Sequence, residues 1–367
     1  MYIEVFNKDF ERIAICDDYE SLIWTDRYNE PGDFELSFGM RKDLLDIYAP
    51  DNYLVSRDSE YTMIIEGYKI ETDLEGGNHL IVRGRSLESV LCRRIVWKQT
   101  TVKGNLQRAV RRLIEENVTG RSNLDIGNRR IPNFVFQENT DGAVDSLRID
   151  ETQFTGDVLY DALKAICDVH DVGFSLKKNE RNEFIFQLYV GQDRAYNQPL
   201  NTYVVFSPNF DNLISSDYDE DKTKYCNVTL VAGEGEGNER KTTTVGDLEV
   251  WGLERRELFT DARDISSKTE DEEGNSVTLD EAEYIKALKT RGLEKLKEAE
   301  IEKTFDGQVE ATQQYKYGQD FFLGDLCQLE NEYGQQTKVK VMEYIHSEST
   351  SGIEEYPTFK VVEEEEE

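Results

Sequence analysis

Hydrophobic and polar positions alternate with period two in Tyr2-Ile3-Glu4-Val5-Phe6, in Arg12-Ile13-Ala14-Ile15 and in Phe34-Glu35-Leu36-Ser37-Phe38. Successive side chains of an extended chain point to opposite faces, so this alternation predicts strands buried on one side only. Met63 to Gly67, Tyr68 to Leu74 and His79 to Val82 continue the series, with Gly76-Gly77-Asn78 as the turn before the last. Such a meander predicts a first β-barrel-like domain over residues 1–101.

The apolar spacing then lengthens. Leu87, Val90, Leu91 and Ile95 form one helical stripe behind a Ser86 cap. Asn105 is placed to cap a second helix with Leu106, Val110, Leu113 and Ile114 inward. A third helix is expected from about Thr155 to His170, with Val158, Leu159, Leu163 and Ile166 inward and Gly173 as the left-handed residue that ends it. A strand follows at Phe184 to Val190, so residues 102–200 read as a mixed α/β insertion.

Strands at Tyr203 to Phe206 and Cys226 to Val231 open the second β-barrel-like domain, 201–367, and strands from 201–260 are also available to complete the first barrel. Thr278 and Glu281 have the spacing of a capping box, which predicts a helix near 279–300 with Ala282, Ile285, Leu288 and Leu296 inward and Gly292 thinning one face. Strands at Phe305 to Gln313, Phe321 to Glu330, Lys338 to His346 and Pro357 to Val362 lead to an acidic tail, Glu363 to Glu367. The expected fold class is α+β, mainly β: two barrel-like domains with mixed insertions.

Charge narrows the function. Across 367 residues, 43 Lys and Arg stand against 75 Asp and Glu, a net charge of −32. That balance excludes non-specific nucleic-acid binding by phosphate neutralisation and recruitment to an anionic membrane surface. Hydrophobic residues still make up 38% and aromatics 11%, too many for a disordered chain. No apolar run reaches the ~18 residues of a membrane helix, and Met1 to Phe10 lacks the basic and apolar regions of a secretory leader. Five isolated cysteines without a C-x-x-C fit synthesis in a reducing cytosol better than a disulfide framework or zinc site. Arg83 to Arg130 carries 12 basic and 4 acidic residues, a net of +8 against −40 elsewhere. Its expected role is to meet an acidic surface of the same protein or of an identical subunit, with Arg108, Arg111 and Arg112 as interface candidates; binding of an acidic ligand is the other reading.

Catalytic patterns are weak. His79, His170 and His346 are scattered and no H-E-x-x-H occurs. Gly233-Glu234-Gly235-Glu236-Gly237-Asn238 lacks the Lys-Ser/Thr of a phosphate loop, carries two glutamates and reads as a hairpin tip. Asp217, Asp219 and Asp221 open like a calcium loop, but Lys222 and Val228 stand where such a loop needs Gly and Glu, so they are a weak metal candidate in a solvated acidic loop. Paired carboxylates for glycoside cleavage cannot be picked out among 75 acids. No catalytic residue and no cofactor is assigned.

Several segments taken in order resemble one family. They are Pro31 to Leu36, Met63 to Gly67, Val82 to Ser89, Phe206 to Leu213, Val231 to Gly237, Arg255 to Phe259 and Tyr317 to Asp325. Together they resemble the siphophage tail-hub family, minor tail proteins related to the N-terminal hub region of tail-associated lysins. The resemblance implies two related barrel-like domains and a homotrimeric ring that closes the distal tail tube around the DNA exit path. It also implies a place at the virion tail tip, against the distal tail ring, the tape-measure protein and tail fibre or receptor-binding proteins. It implies neither sequence-specific nucleic-acid binding nor a membrane anchor. The lysins carry their enzymatic modules beyond the hub, and this chain stops after the hub-like part, so no activity is carried over. A cell-wall peptidase or glycosidase is the alternative reading.

Overall fold

The early alternation becomes strands β1 (Ile3–Phe6), β2 (Arg12–Cys16), β3 (Ser21–Arg27), β4 (Asp33–Gly39), β5 (Tyr53–Ser56), β6 (Thr62–Asp73) and β7 (Gly77–Ser86) in a computed structural model. It describes all residues except 74–76, 122–123, 197, 238–239, 271–275, 279, 310–313 and 363–367, so the Glu363 to Glu367 tail lies outside the described residues. All seven strands lie in one eleven-stranded sheet. Its order runs Val205–Phe206, Leu326–Glu330, Gln336–Ser349, β3, β4, β7, β6, β5, β1, β2, with Gly352–Val362 also paired to Gln336–Ser349. Leu22 and Trp24 of β3, and Phe34, Leu36 and Phe38 of β4, project into one core with Ile3, Val5, Leu54, Met63 and Val82.

The expected mainly β architecture is present as one large sheet and several small ones. No closed barrel forms among the described residues; the sheet is open. The hydrogen bonds of β3 decide this, because Glu343 to Glu348 pair antiparallel with Leu22 to Arg27 and tie the C-terminal strands to the N-terminal sheet. The chain divides into two compact units: residues 1–216 with 306–367, and residues 217–305.

Within the first unit, residues from the middle of the chain build a second core. Helices Leu106–Ile114 and Leu159–Val169 contribute Leu106, Val110, Leu113, Leu159 and Leu163, and the small sheet of Phe134–Gln137, Gly173–Lys178 and Phe184–Tyr189 contributes Phe174 and Phe186. Asn105 caps the first of these helices as expected: its side chain accepts from the Arg108 backbone N–H at 3.0 Å. Asn105→Ala should therefore cost about 1 kcal/mol, the ordinary value of a lost N-cap bond. Thermal melts of the two proteins check this.

Other helix ends differ from the pattern. Leu87 to Arg93 is a 3-10 turn, without a side-chain cap from Ser86. Ile95 has already left it, bridging to Val158. At the end of Leu159–Val169 the left-handed residue is Asp171 (φ 54°). Gly173 is small for another reason: a Cβ there would lie 2.5 Å from the Tyr189 ring and 2.7 Å from the Tyr28 ring.

In the second unit, helix Glu281–Glu298 covers one face of the sheet formed by Thr242–Gly246, Val228–Ala232 and Glu257–Asp261. Its N-cap is Asp280, one residue before Glu281, and strand Ser276–Thr278 precedes it; the Thr278 side chain of the expected capping box lies outside the described residues. The buried stripe is Tyr284, Leu288 and Gly292, one turn apart, and Ala282 is exposed. Gly292 is the point of closest approach, since a Cβ there would meet the Val231 side chain at 2.6 Å. The hairpin tip 233–241 joins antiparallel Val228–Ala232 and Thr242–Gly246, as the glycine-rich segment predicted.

Candidate functional site

A cleft of about 770 Å³ opens in the first unit. Ser59, Tyr61, Lys177, Tyr189, Tyr317 and Asp325 are among the residues that line it. Tyr317 and Tyr344 stack with ring centroids 4.1 Å apart. Behind this wall lies Asp26, only 2% exposed. Its carboxylate accepts from the Trp24 indole N–H and the Ser59 hydroxyl, each at 3.0 Å, with the Tyr317 hydroxyl at 3.5 Å. Each of these donors is uncharged. Burial accordingly pushes the Asp26 carboxyl up to about 7.

A second buried carboxyl, Glu88, sits on the 3-10 turn. Oε1 accepts from the Leu176 backbone N–H at 2.8 Å, and burial raises its pKa. Asp325, by contrast, is a satisfied structural anion. It pairs with Arg194 at 2.7 Å and accepts from the backbone N–H groups of Gln192 and Phe322. Segments 31–36, 82–89 and 317–325, separate in sequence, meet at this joint. Ser86 donates from its backbone to Gly32, Tyr317 reaches Asp26, and Gly324 donates from its backbone to Val341 in the strand beside β3.

Sequence reasoning missed Asp26 because it missed β3. The signal was present: in Leu22-Ile23-Trp24-Thr25-Asp26, period two puts Asp26 on the same face as Leu22 and Trp24.

The arginines proposed from sequence lie on one helix but differ in their engagement. Arg111 pairs with Glu138 and stacks over Phe136, and Arg112 pairs with Glu116 at 2.9 Å and donates to the Thr101 carbonyl. Arg108 is exposed. Elsewhere in the basic segment Arg85 pairs with Glu66 at 2.7 Å and Lys103 with Glu151 at 3.0 Å. Much of its charge is thus met by acids of the same chain.

Asp217, Asp219 and Asp221 lie on strand Leu213–Asp221 and not in a loop, and Asp221 accepts from the Thr223 backbone N–H at 2.7 Å. Strand geometry holds alternate side chains about 7 Å apart, too far for one ion to gather all three. Among the described residues no group of three or more His, Cys, Asp or Glu side chains is placed to hold a metal. Cys16, Cys167 and Cys327 are buried, and burial raises each thiol, Cys16 to about 12. Such thiols stay protonated and make poor nucleophiles. His346 is held by Glu355 at 2.6 Å, and His79 by Glu20 at 2.9 Å.

Comparison with solved structures gives the same fold three times. A tail protein from Neisseria meningitidis is similar with a TM-score of 0.56 at 15% identity, covering 98% of this chain and 96% of its own. Prophage tail protein gp18 from Listeria monocytogenes is similar with a TM-score of 0.54 at 13% identity, covering 98% and 94%. The tail protein of prophage MuSo2 from Shewanella oneidensis is similar with a TM-score of 0.59 at 11% identity, covering 98% of each. A comparison with curated proteins finds no match. The model of one family, described as siphovirus ReqiPepy6 Gp37-like protein, matches residues 2–359. The chain therefore belongs to this siphovirus tail protein family and is built on the fold of phage tail proteins.

Proposed function

We propose that the protein is a structural, non-enzymatic hub subunit of the tail tip, forming a homotrimeric ring around the DNA exit path. The observation that carries this reading is the family match from residue 2 to residue 359, accompanied by end-to-end likeness to tail proteins. Two physical features support it. β2 is an edge of the open sheet, and its Ile13 and Ile15 are 43% and 44% exposed, an edge that association would cover. A net charge of −32 keeps DNA phosphates from adhering to the wall of an exit path. The partners in this reading are further copies of the chain, the distal tail ring, the tape-measure protein and tail fibre or receptor-binding proteins.

A lytic function is the weaker reading. Both carboxyls whose pKa is raised, Asp26 and Glu88, are buried, and Asp26 lies behind Ser59 and Tyr317 rather than open to a substrate.

Light scattering after size exclusion, with electron-microscopy class averages, is expected to give a threefold ring at high protein concentration. Purified peptidoglycan should be left intact. A strict monomer that also fails to bind the distal tail ring, or fragment release abolished by one carboxylate substitution, would overturn the proposal.

A further inference from the structure

The basic segment contains a pocket in which Arg112 and Arg121 pair with Glu115 and Glu116, while Lys98 and Arg129 have no acid of their own. It measures about 390 Å³, and Trp97, Lys98, Arg112, Glu116, Arg121 and Arg129 line it. Trp97 is 63% exposed, and the Arg129 guanidinium lies 4.9 Å from the centre of its ring. Arg129 donates to the Ile95 carbonyl and to Asn117 Oδ1, both at 3.1 Å. Arg94 in turn donates to the Arg129 carbonyl at 3.3 Å. All of these acceptors are neutral. Among the described residues, Arg94, Lys98, Arg129 and Arg130 make no ion pair.

The acids at the pocket are already committed. Glu116 accepts from Arg112 at 2.9 Å and from the Thr100 hydroxyl at 2.7 Å, and Asp125 accepts from the Gly127 backbone N–H at 2.8 Å. Lys98, Arg112, Arg121 and Arg129 line the pocket with Glu116 and Asp125, a local net of +2 in a chain of −32. Two guanidinium groups held together without a carboxylate repel each other, and an incoming carboxylate removes that cost. Burial and the Arg94 charge lower the pKa of Arg129, which agrees with an unmatched pair.

We propose that this pocket is a subunit contact, in which Trp97 and the cations around it receive carboxylate side chains from a second copy of this chain. The proposal rests on the ring reading above and names where the ring closes. The occupant follows from charge. Outside residues 83–130 the chain carries −40, so a second copy is an acidic partner over most of its length. Nucleic acid would have to approach through a field of its own sign. The exposed indole beside fork-shaped donors is the residue pairing that dominates interface energies. The contact shares Arg112 with the one expected from sequence but centres on Trp97, Lys98 and Arg129, because Arg111 and Arg112 already bind Glu138 and Glu116.

Trp97→Ala and Lys98→Glu change exposed side chains and should leave the far-ultraviolet circular dichroism of the protein unchanged. Each is expected to raise the oligomer dissociation constant about tenfold or more by sedimentation, with Lys98→Arg restoring it. Raising salt from 0.1 M to 1 M should weaken the wild type more than Lys98→Glu. In oligomers mixed from isotopically light and heavy chains, a zero-length carbodiimide cross-linker should join Lys98 to an Asp or Glu of the other chain. A wild-type oligomer unaffected by both substitutions and lacking that cross-link would overturn this contact and leave the ring reading standing. A wild type that stays monomeric at every concentration overturns both. Lys98-dependent binding of a single-stranded DNA oligomer without self-association would replace the proposal with a nucleic-acid site.

Discussion

Asp26→Asn is expected to stabilise the protein above neutral pH, by on the order of 4 kcal/mol. The ordinary pKa of this carboxyl is 3.8, and burial pushes it up to about 7. Between those values the unfolded chain has released its proton while the folded chain keeps it. Stability from this group therefore falls as pH rises from about 4 to about 7, and the full cost stands above that window. Roughly three units at about 1.36 kcal/mol each give the magnitude. Glu88 faces the same site and drives the carboxyl further up, while Lys177 opposes it. An asparagine keeps an acceptor for Trp24 and Ser59 without the charge.

Calorimetry at pH 8 and pH 4 checks this. The variant should melt higher than the wild type at pH 8, and the advantage should vanish at pH 4. Carboxylates whose ion pairs lower their pKa, such as Glu66 beside Arg85 and Arg93, shift the pH profile the opposite way. They cancel in the difference between the two proteins. A lower melting temperature for the variant at pH 8 would show that an ionised Asp26 is needed by the fold.

Trp24→Ala should cost about 3–5 kcal/mol, the range for deleting a large buried aromatic. Trp24 is 1% exposed, packs 6.2 Å from Phe34 between ring centres and donates to Asp26 at 3.0 Å. Its removal leaves a cavity in the core shared by β1 to β7 and deprives a buried carboxyl of a donor. Trp24→Phe, which loses the N–H but keeps an aromatic ring, should cost less. Urea titrations of the three proteins give the comparison. A Trp24→Ala midpoint close to that of the wild type would mean that β3 does not anchor this core.

By itself, the sequence determined features that depend on neighbours along the chain. Alternation marked β1 and β4 because one face of each is buried and the other is more open, and it marked β2 although the apolar Ile13 and Ile15 there are exposed. The stripe behind Asn105 gave the helix and its cap, since both depend on residues three and four apart. The order of the seven matching segments, across nearly the whole chain, gave the family.

Tertiary structure decided whatever depends on which distant surfaces meet. β6 is buried on both faces at Met63, Ile64 and Ile65, because Met63 and Ile65 enter one core and Ile64 the other. A run of apolar residues does not reveal two cores. Gln336–Ser349 pairs with β3, more than 300 residues away in sequence, and this pairing joins the C-terminal strands to the N-terminal sheet. The buried acid site was only half legible. Period two puts Asp26 inward, but its raised pKa comes from burial beneath Ser59 and Tyr317 and from the Glu88 charge, both set by segments distant in sequence. The basic segment was visible as charge. Three-dimensional packing alone separates Arg111 and Arg112, matched by Glu138 and Glu116, from Arg94, Lys98 and Arg129 around Trp97, because a carboxylate neutralises only the cation it can touch.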